Sequence, residues 1–261
     1  MVFPWPKGFP RIYSTATVEQ VSGHPDFEAA KHGDRTAAVR LVDSIADRDL
    51  MRAVGLRYPG AGLVVVASPT AENGNQIPYA FASLFSTRSG LPLQQGVVKT
   101  NKPAHTGRGA AYRFAHRAEY AGHLDAGRNY VLLDDVATQG GTISELRQFV
   151  YQQRASVVAV ATLAYTPSRA MSDGRTLPIT RETFVALDQK HGMENVSRML
   201  AGLGIYEGNV QCLTESEAKL IFKAQSLDAF INEIRHEQQR SQPMPPLPSH
   251  GPRSGKTLAA R

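Results

Sequence analysis

Uninterrupted apolar runs occupy the middle of the chain, while its flanks carry spaced apolar positions. Leu63, Val64, Val65, Val66 and Ala67 follow one another without a polar residue, which suits a strand buried on both faces. Residues 77–89 read as a helix, with Pro78 tolerated in its first turn. Further strands are predicted over 93–99, 130–133 and 157–165, and a helix over 144–154. Strand, helix, strand, then strand, helix, strand argues for an α/β fold, a mainly parallel sheet with helices on both faces.

The stretch 100–128 separates two of these strands, carries several basic residues and glycines, and shows no strand pattern. Connections of that length inside a compact domain are often functional, and this one is expected to be a lid. Upstream, 34–50 reads as one capped amphipathic helix. Downstream, 181–237 reads as several helices, with Thr214, Glu215, Ser216 and Glu217 offering a capping box ahead of 218–222. The chain then divides into an N-terminal segment (1–60), a core (61–166), a helical C-terminal region (167–240) and a tail (241–261). The tail is rich in Pro, Ser and Gly and cannot bury enough surface to offset its ordering entropy, so it is expected to be disordered.

Composition changes this picture little. The apolar and charged fractions, 42% and 20% of 261 residues, are ordinary for a globular protein. A net charge of +6 raises a nucleic-acid reading. However, Arg253, Lys256 and Arg261 supply three of those charges from the tail, and no acid follows Glu237. Nucleic acid is therefore expected to bind weakly at most, through the tail. The single cysteine, Cys212, excludes an internal disulfide and a cysteine-based zinc cluster, and fits a reducing cytoplasm. Pro4, Pro6 and Pro10 interrupt the opening segment, and no apolar run reaches the roughly 20 residues that cross a bilayer. A cytoplasmic protein without a membrane span is expected. Trp5, Phe9 and Tyr13 are read as packing residues, and Cys212 as a small buried one.

The chemistry is concentrated at 130–142. An apolar strand ends in Asp134 and Asp135, and Val136, Ala137, Thr138, Gln139, Gly140, Gly141 and Thr142 then turn into a helix. Paired carboxylates at a strand's C-terminal end can accept hydrogen bonds from two vicinal hydroxyls, which a ribose presents. Gly140 and Gly141 permit close backbone approach, and their N–H groups lie at a helix N-terminus, where a phosphate is favoured. Thr138 and Thr142 add hydroxyl donors. Ligands of open parallel sheets bind at this edge.

This succession closely resembles the 5-phosphoribosyl 1-diphosphate (PRPP) motif of the type I phosphoribosyltransferases: an apolar strand, two acids, then Thr-x-Gly-Gly-Thr. The resemblance implies a sheet of phosphoribosyltransferase type. It also implies that Asp134 and Asp135 hold the ribose hydroxyls at the catalytic centre, while Ala137, Thr138, Gln139, Gly140, Gly141 and Thr142 cradle the 5′-phosphate. Gln139 stands where many members carry a second Thr. Residues 68–75, with Ser68, Pro69 and Thr70, fall where the family places its pyrophosphate loop. The stretch 100–128 falls where it places a mobile loop, and Lys99, Lys102, His105, Arg108 and Arg113 would bring positive charge to the leaving pyrophosphate. Mg²⁺ is implied as a cofactor carried with PRPP, without direct protein ligands. The implied activity is transfer of the phosphoribosyl group to a nitrogenous acceptor, with release of pyrophosphate. A hood from 1–60 or 166–237 would recognise the acceptor, and a homodimer is a possible assembly.

Residues 68–75 contain no Lys or Arg and one Glu, unlike the stronger enzymes of the family. That favours a second reading, a catalytically weak or inactive PRPP- or nucleotide-binding regulator that controls a partner. Rival motifs fail on context. A Walker B strand would need an upstream phosphate loop. The Walker A-like 251–257 is one residue short between its glycines and lies downstream, and a Rossmann site would need glycines after the first strand.

Overall fold

Parallel strand pairing organises the molecule, a computed structural model that describes residues 1–66, 74–101, 110–165 and 175–240. Its strands are β1 (Tyr13–Ala16), β2 (Gly62–Val65), β3 (Val98–Lys99), β4 (Tyr120–Ala121), β5 (Asn129–Ala137) and β6 (Ser156–Tyr165). The helices of the first half are α1 (Val18–Ser22), α2 (Phe27–Lys31), α3 (Arg35–Ile45), α4 (Arg48–Arg57), α5 (Ile77–Ser89) and α6 (Ala110–Ala115). Those of the second half are α7 (Gly141–Gln152), α8 (Arg181–His191), α9 (Met193–Gly202), α10 (Glu215–Lys223) and α11 (Leu227–Arg240). Four strands form one sheet in the order β1–β6–β5–β2, every pair parallel. β3 and β4 form a separate antiparallel ribbon.

Alternation along β5 sends its side chains to opposite faces of the sheet. Val131 and Leu133 meet α3, α4 and α5 through Leu41, Val42, Met51, Val54, Phe81 and Phe85. Tyr130 and Leu132 meet α7 through Ile143, Leu146 and Val150. Burying each such side chain stabilises the fold by about 1.5–3 kcal/mol, so both faces are firmly covered. Helices α8 to α11, with α6, enclose a third core around Phe114, Leu187, Leu200, Ile221, Phe230 and Ile234. The α/β fold with a helical C-terminal region is thus observed.

Several local expectations change. The predicted helix over 34–50 is two helices. Asp34 caps α3, the chain turns extended at Ala46, and the Asp47 carboxylate caps α4 by accepting from the Asp49 and Leu50 amides. The predicted strand over 93–99 is also divided. Leu93 bridges Leu63 beside β2, Gly96 takes φ +83°, and Val98–Lys99 pairs instead with β4. The stretch 100–128, expected to lack strands, contains β4 and also α6. An unforeseen strand, β1, joins β6 at the sheet's edge. The capping box at Thr214 and Glu217 is present and opens α10. The tail, 241–261, lies outside the described residues. Among the described residues, no helix is long and apolar enough to cross a membrane.

The N-terminal segment is fastened by an unusual core residue. Arg147 of α7 is fully buried and donates to the Phe3 and Pro4 carbonyls. Its guanidinium lies over the Trp5 ring at 4.3 Å and over Tyr151 at 4.7 Å. Trp5 in turn donates from Nε1 to the Cys212 carbonyl at 3.0 Å. Trp5 and Cys212 are both buried, as packing residues should be, and burial pushes the Cys212 thiol up to about 11. Trp5→Ala should lower the unfolding free energy by about 3–5 kcal/mol, because it removes a large buried ring and uncovers a buried cation. Urea denaturation followed by circular dichroism measures the loss.

Candidate functional site

Strand β5 runs past β2 at its acid pair while staying beside β6 through Ala137, and the two carboxyls take different partners. Asp134 accepts from the Asp135 amide at 3.0 Å, and Asp135 accepts from the Val136 amide at 2.8 Å. Asp135 also accepts from the Asn75 side-chain amide at 2.5 Å, which ties it to the segment entering α5. Burial raises the Asp134 carboxyl well above its ordinary 3.8, and the charge of Asp135 adds to that rise. Lys99, buried on β3, partly opposes it: burial lowers the lysine and the Asp134 charge draws it back up.

Beyond the acids the chain turns sharply. Gly140 has φ +75°, a left-handed conformation that favours glycine, and a Cβ there would also push on the end of the Leu177 side chain, 2.8 Å away. α7 begins at Gly141, and the N–H groups of its first turn have no intrahelical acceptor. They therefore offer an electropositive concavity at the strand's carboxyl end. Arg113 Nη1 donates to the Thr138 hydroxyl at 3.1 Å, and Tyr120 donates to the Thr142 carbonyl at 3.4 Å.

Asn75, Asp134, Asp135, Thr138, Gly140, Gly141 and Thr142 line one cavity of about 620 Å³, together with Val136, Ala137, Gln139 and Ile143. Lys99, Arg113, His116 and Arg117 stand along the same wall, while Val18, Val21, Phe27 and Lys31 of α1 and α2 supply an apolar flank with one cation. The volume is that of a ligand site. The structure brings together Asp134, Asp135, Ala137, Thr138, Gln139, Gly140, Gly141, Thr142, Lys99 and Arg113. Ser68, Pro69, Thr70, Lys102, His105 and Arg108 lie outside the described residues.

Sequence reasoning missed the cluster behind the turn. Arg117 Nε donates to Glu145 at 2.6 Å, and its terminal nitrogens donate to Glu217 and to the Tyr206 hydroxyl. Burial pulls the guanidinium down, but its acidic neighbours, Glu217 foremost and Glu145 with it, outweigh that and the net shift is upward. Tyr206 and Glu207 have φ of 49° and 50°, a left-handed conformation that costs about 1–2 kcal/mol per residue. Glu217 was readable only as a capping residue, and nothing in the spacing signals Arg117. Asn75 could have been noticed as a polar residue just ahead of a helix.

No family model matches the chain. Protein TraN of Escherichia coli is 29% identical over 237 residues, which cover 88% of this chain and 50% of that protein. An uncharacterized protein of Haemophilus influenzae is 27% identical over 154 residues, covering 58% of this chain and 34% of its own. The chain thus spans half or less of the curated relatives it matches. Among solved structures, it is similar to an adenine phosphoribosyltransferase from Leishmania donovani. The TM-score is 0.32 and the identity 16%, over 70% of this chain and 84% of that one. A superposition this loose fixes neither family nor activity.

Two substitutions test the local physics. Because the folded Asp134 carboxyl has a raised pKa, its contribution to stability is fully present below the unfolded value of 3.8 and is lost as pH rises through the folded one. Asp134→Asn should therefore stabilise the protein at neutral pH, with the gain vanishing below pH 3.8, in urea titrations across a pH series. Gly140→Ala should cost about 1–3 kcal/mol in the same assay, through the left-handed backbone and the contact with Leu177.

Proposed function

We propose that the cavity binds PRPP and that the protein transfers its phosphoribosyl group to a nitrogenous acceptor, releasing pyrophosphate. The observation that supports this best is one shared cavity. It is lined by two adjacent carboxylates at a parallel strand's end, a glycine turn opening a helix, and cations that include Lys99 and Arg113. Asp134 and Asp135 would accept from the two ribose hydroxyls, and the first amides of α7 with Thr138 and Thr142 would take the 5′-phosphate. Lys99 and Arg113 would lie toward the pyrophosphate and offset its charge as it leaves. An oxocarbenium-like centre would then form at the anomeric carbon, a reaction that asks for positioning and charge stabilisation more than for proton transfer.

Magnesium would enter with the ligand. The hard carboxylate oxygens of Asp134 and Asp135 suit such an ion, and among the described residues no group of three or more His, Cys, Asp or Glu is arranged to hold a metal alone. When bound, it would neutralise the diphosphate as a leaving group.

One observation favours a regulator with little turnover: residues 68–75 contain no Lys or Arg. In that reading the same pocket binds PRPP or a nucleotide and reports it to a partner. Calorimetry with Mg-PRPP should show saturable binding to the wild type. Asp134→Asn combined with Asp135→Asn should abolish that binding while the circular dichroism spectrum is kept. Unchanged binding in the double variant would remove the site assignment. Pyrophosphate release with a panel of bases then separates the enzyme from the regulator.

A further inference from the structure

The turn that begins α7 is held less by the sheet than by the C-terminal helical region. Thr214 donates from Oγ1 to the Gln139 carbonyl at 2.7 Å, and Leu177 packs against Gly140. Glu217 presses on the next residue: a Cβ at Gly141 would lie 3.0 Å from Glu217 Oε1 and 3.5 Å from Arg117 Nη1. Glu217 is almost wholly buried, and its other oxygen accepts from the Thr214 amide. One capping box therefore begins α10 and supports the start of α7 at the same time.

Arg117 connects these parts. It reaches Glu145, on α7 itself, and Glu217, on α10. It also reaches Tyr206, whose ring it covers at 4.6 Å and whose backbone is held in the left-handed region. The Arg117 side chain is only 16% exposed, and the pairing with two carboxylates engages its charge within the protein. Such an arrangement suits a group that fixes geometry. Removing it would leave two carboxylates, with burials of 80% and 98%, facing each other behind the turn.

We propose that Arg117 is a positioning residue for the 138–142 turn. Through Glu145, Glu217 and Tyr206 it docks the C-terminal helical region on the first turn of α7 and keeps that turn's amides directed into the cavity. The inference rests on the proposed PRPP site for its consequence in binding, but its structural part can be read without any ligand.

The test compares the full-length wild type with Arg117→Met, Arg117→Lys and Glu217→Gln. Two measurements are made, amide hydrogen exchange of the free protein and calorimetry with ribose 5-phosphate and with pyrophosphate. In Arg117→Met, the Ser144 amide, which donates to the Gly140 carbonyl at 2.8 Å, should exchange about tenfold faster or more, while amides of β5 and β6 keep their rates. Ribose 5-phosphate affinity should fall by about tenfold or more with pyrophosphate affinity unchanged, and Arg117→Lys should recover part of it. Glu217→Gln keeps the side chain's shape and should show the same pattern more weakly, which covers the case of an Arg117→Met protein that does not fold. Equal acceleration throughout β5 and β6 in every variant that folds would mean a general structural role and overturn the proposal. So would an unchanged turn, or unchanged ribose 5-phosphate affinity in a protein whose wild type binds it. If the wild type binds neither ligand, the PRPP reading fails, and the exchange comparison alone decides on Arg117.

Discussion

A parallel strand with apolar cores on both faces tolerates charged side chains chiefly near its end, and β5 is such a strand, running past β2 after Leu133 while staying paired with β6 through Ala137. It lies between β6 and β2, with apolar side chains on both faces from Tyr130 to Leu133. Asp134 and Asp135 follow at its carboxyl end, and the strand ends at Ala137. The turn at Gly140 and the mouth of the cavity lie just beyond that overhang. Residues contributed by α1, α2, α6 and α10 come together there.

The arrangement works against stability, as ligand sites often do. A carboxyl held above its ordinary pKa, a lysine held below it and two residues in left-handed backbone all cost free energy in the empty protein. The three hydrophobic cores offset that cost. The third core also joins the second through direct bonds, since the Cys212 carbonyl accepts from both Trp5 and the Ser144 hydroxyl. The helical C-terminal region is thus bonded to α7 at Cys212, to the turn ahead of α7 at Thr214 and, by way of Arg117, to Glu145 of α7 at Glu217.

Much of the site was legible because it is local. The strand, acids, glycines and helix follow one another from 130 to 142, and each leaves its own mark on the sequence. Lys99 and Arg113 could be nominated by their charge together with the place that the resemblance gives their stretch of chain. Arg117 could not, because its partners lie 28, 89 and 100 residues away and ion pairs at such separations follow no spacing rule. β1 was hidden for another reason: its Tyr-Ser-Thr-Ala sequence shows no apolar run, and it gains order by pairing with β6. The break between α3 and α4 was readable in principle, since Asp47 is a second capping residue inside the same apolar pattern. Gly96 likewise interrupts a stretch whose hydrophobicity alone suggests one strand.

Trp5 is the only tryptophan in the chain, and it is wedged between a guanidinium and the Cys212 carbonyl. The indole emission of this protein therefore comes from one seam, where the N-terminal segment, α7 and the 3₁₀ turn at Val210–Cys212 meet. The Trp5 ring shares a core with one face of the sheet but does not line the cavity. A change in that emission on adding a ligand would mean that occupancy at the start of α7 is felt along the helix at Arg147, a built-in optical readout of whether the start and the middle of α7 respond together.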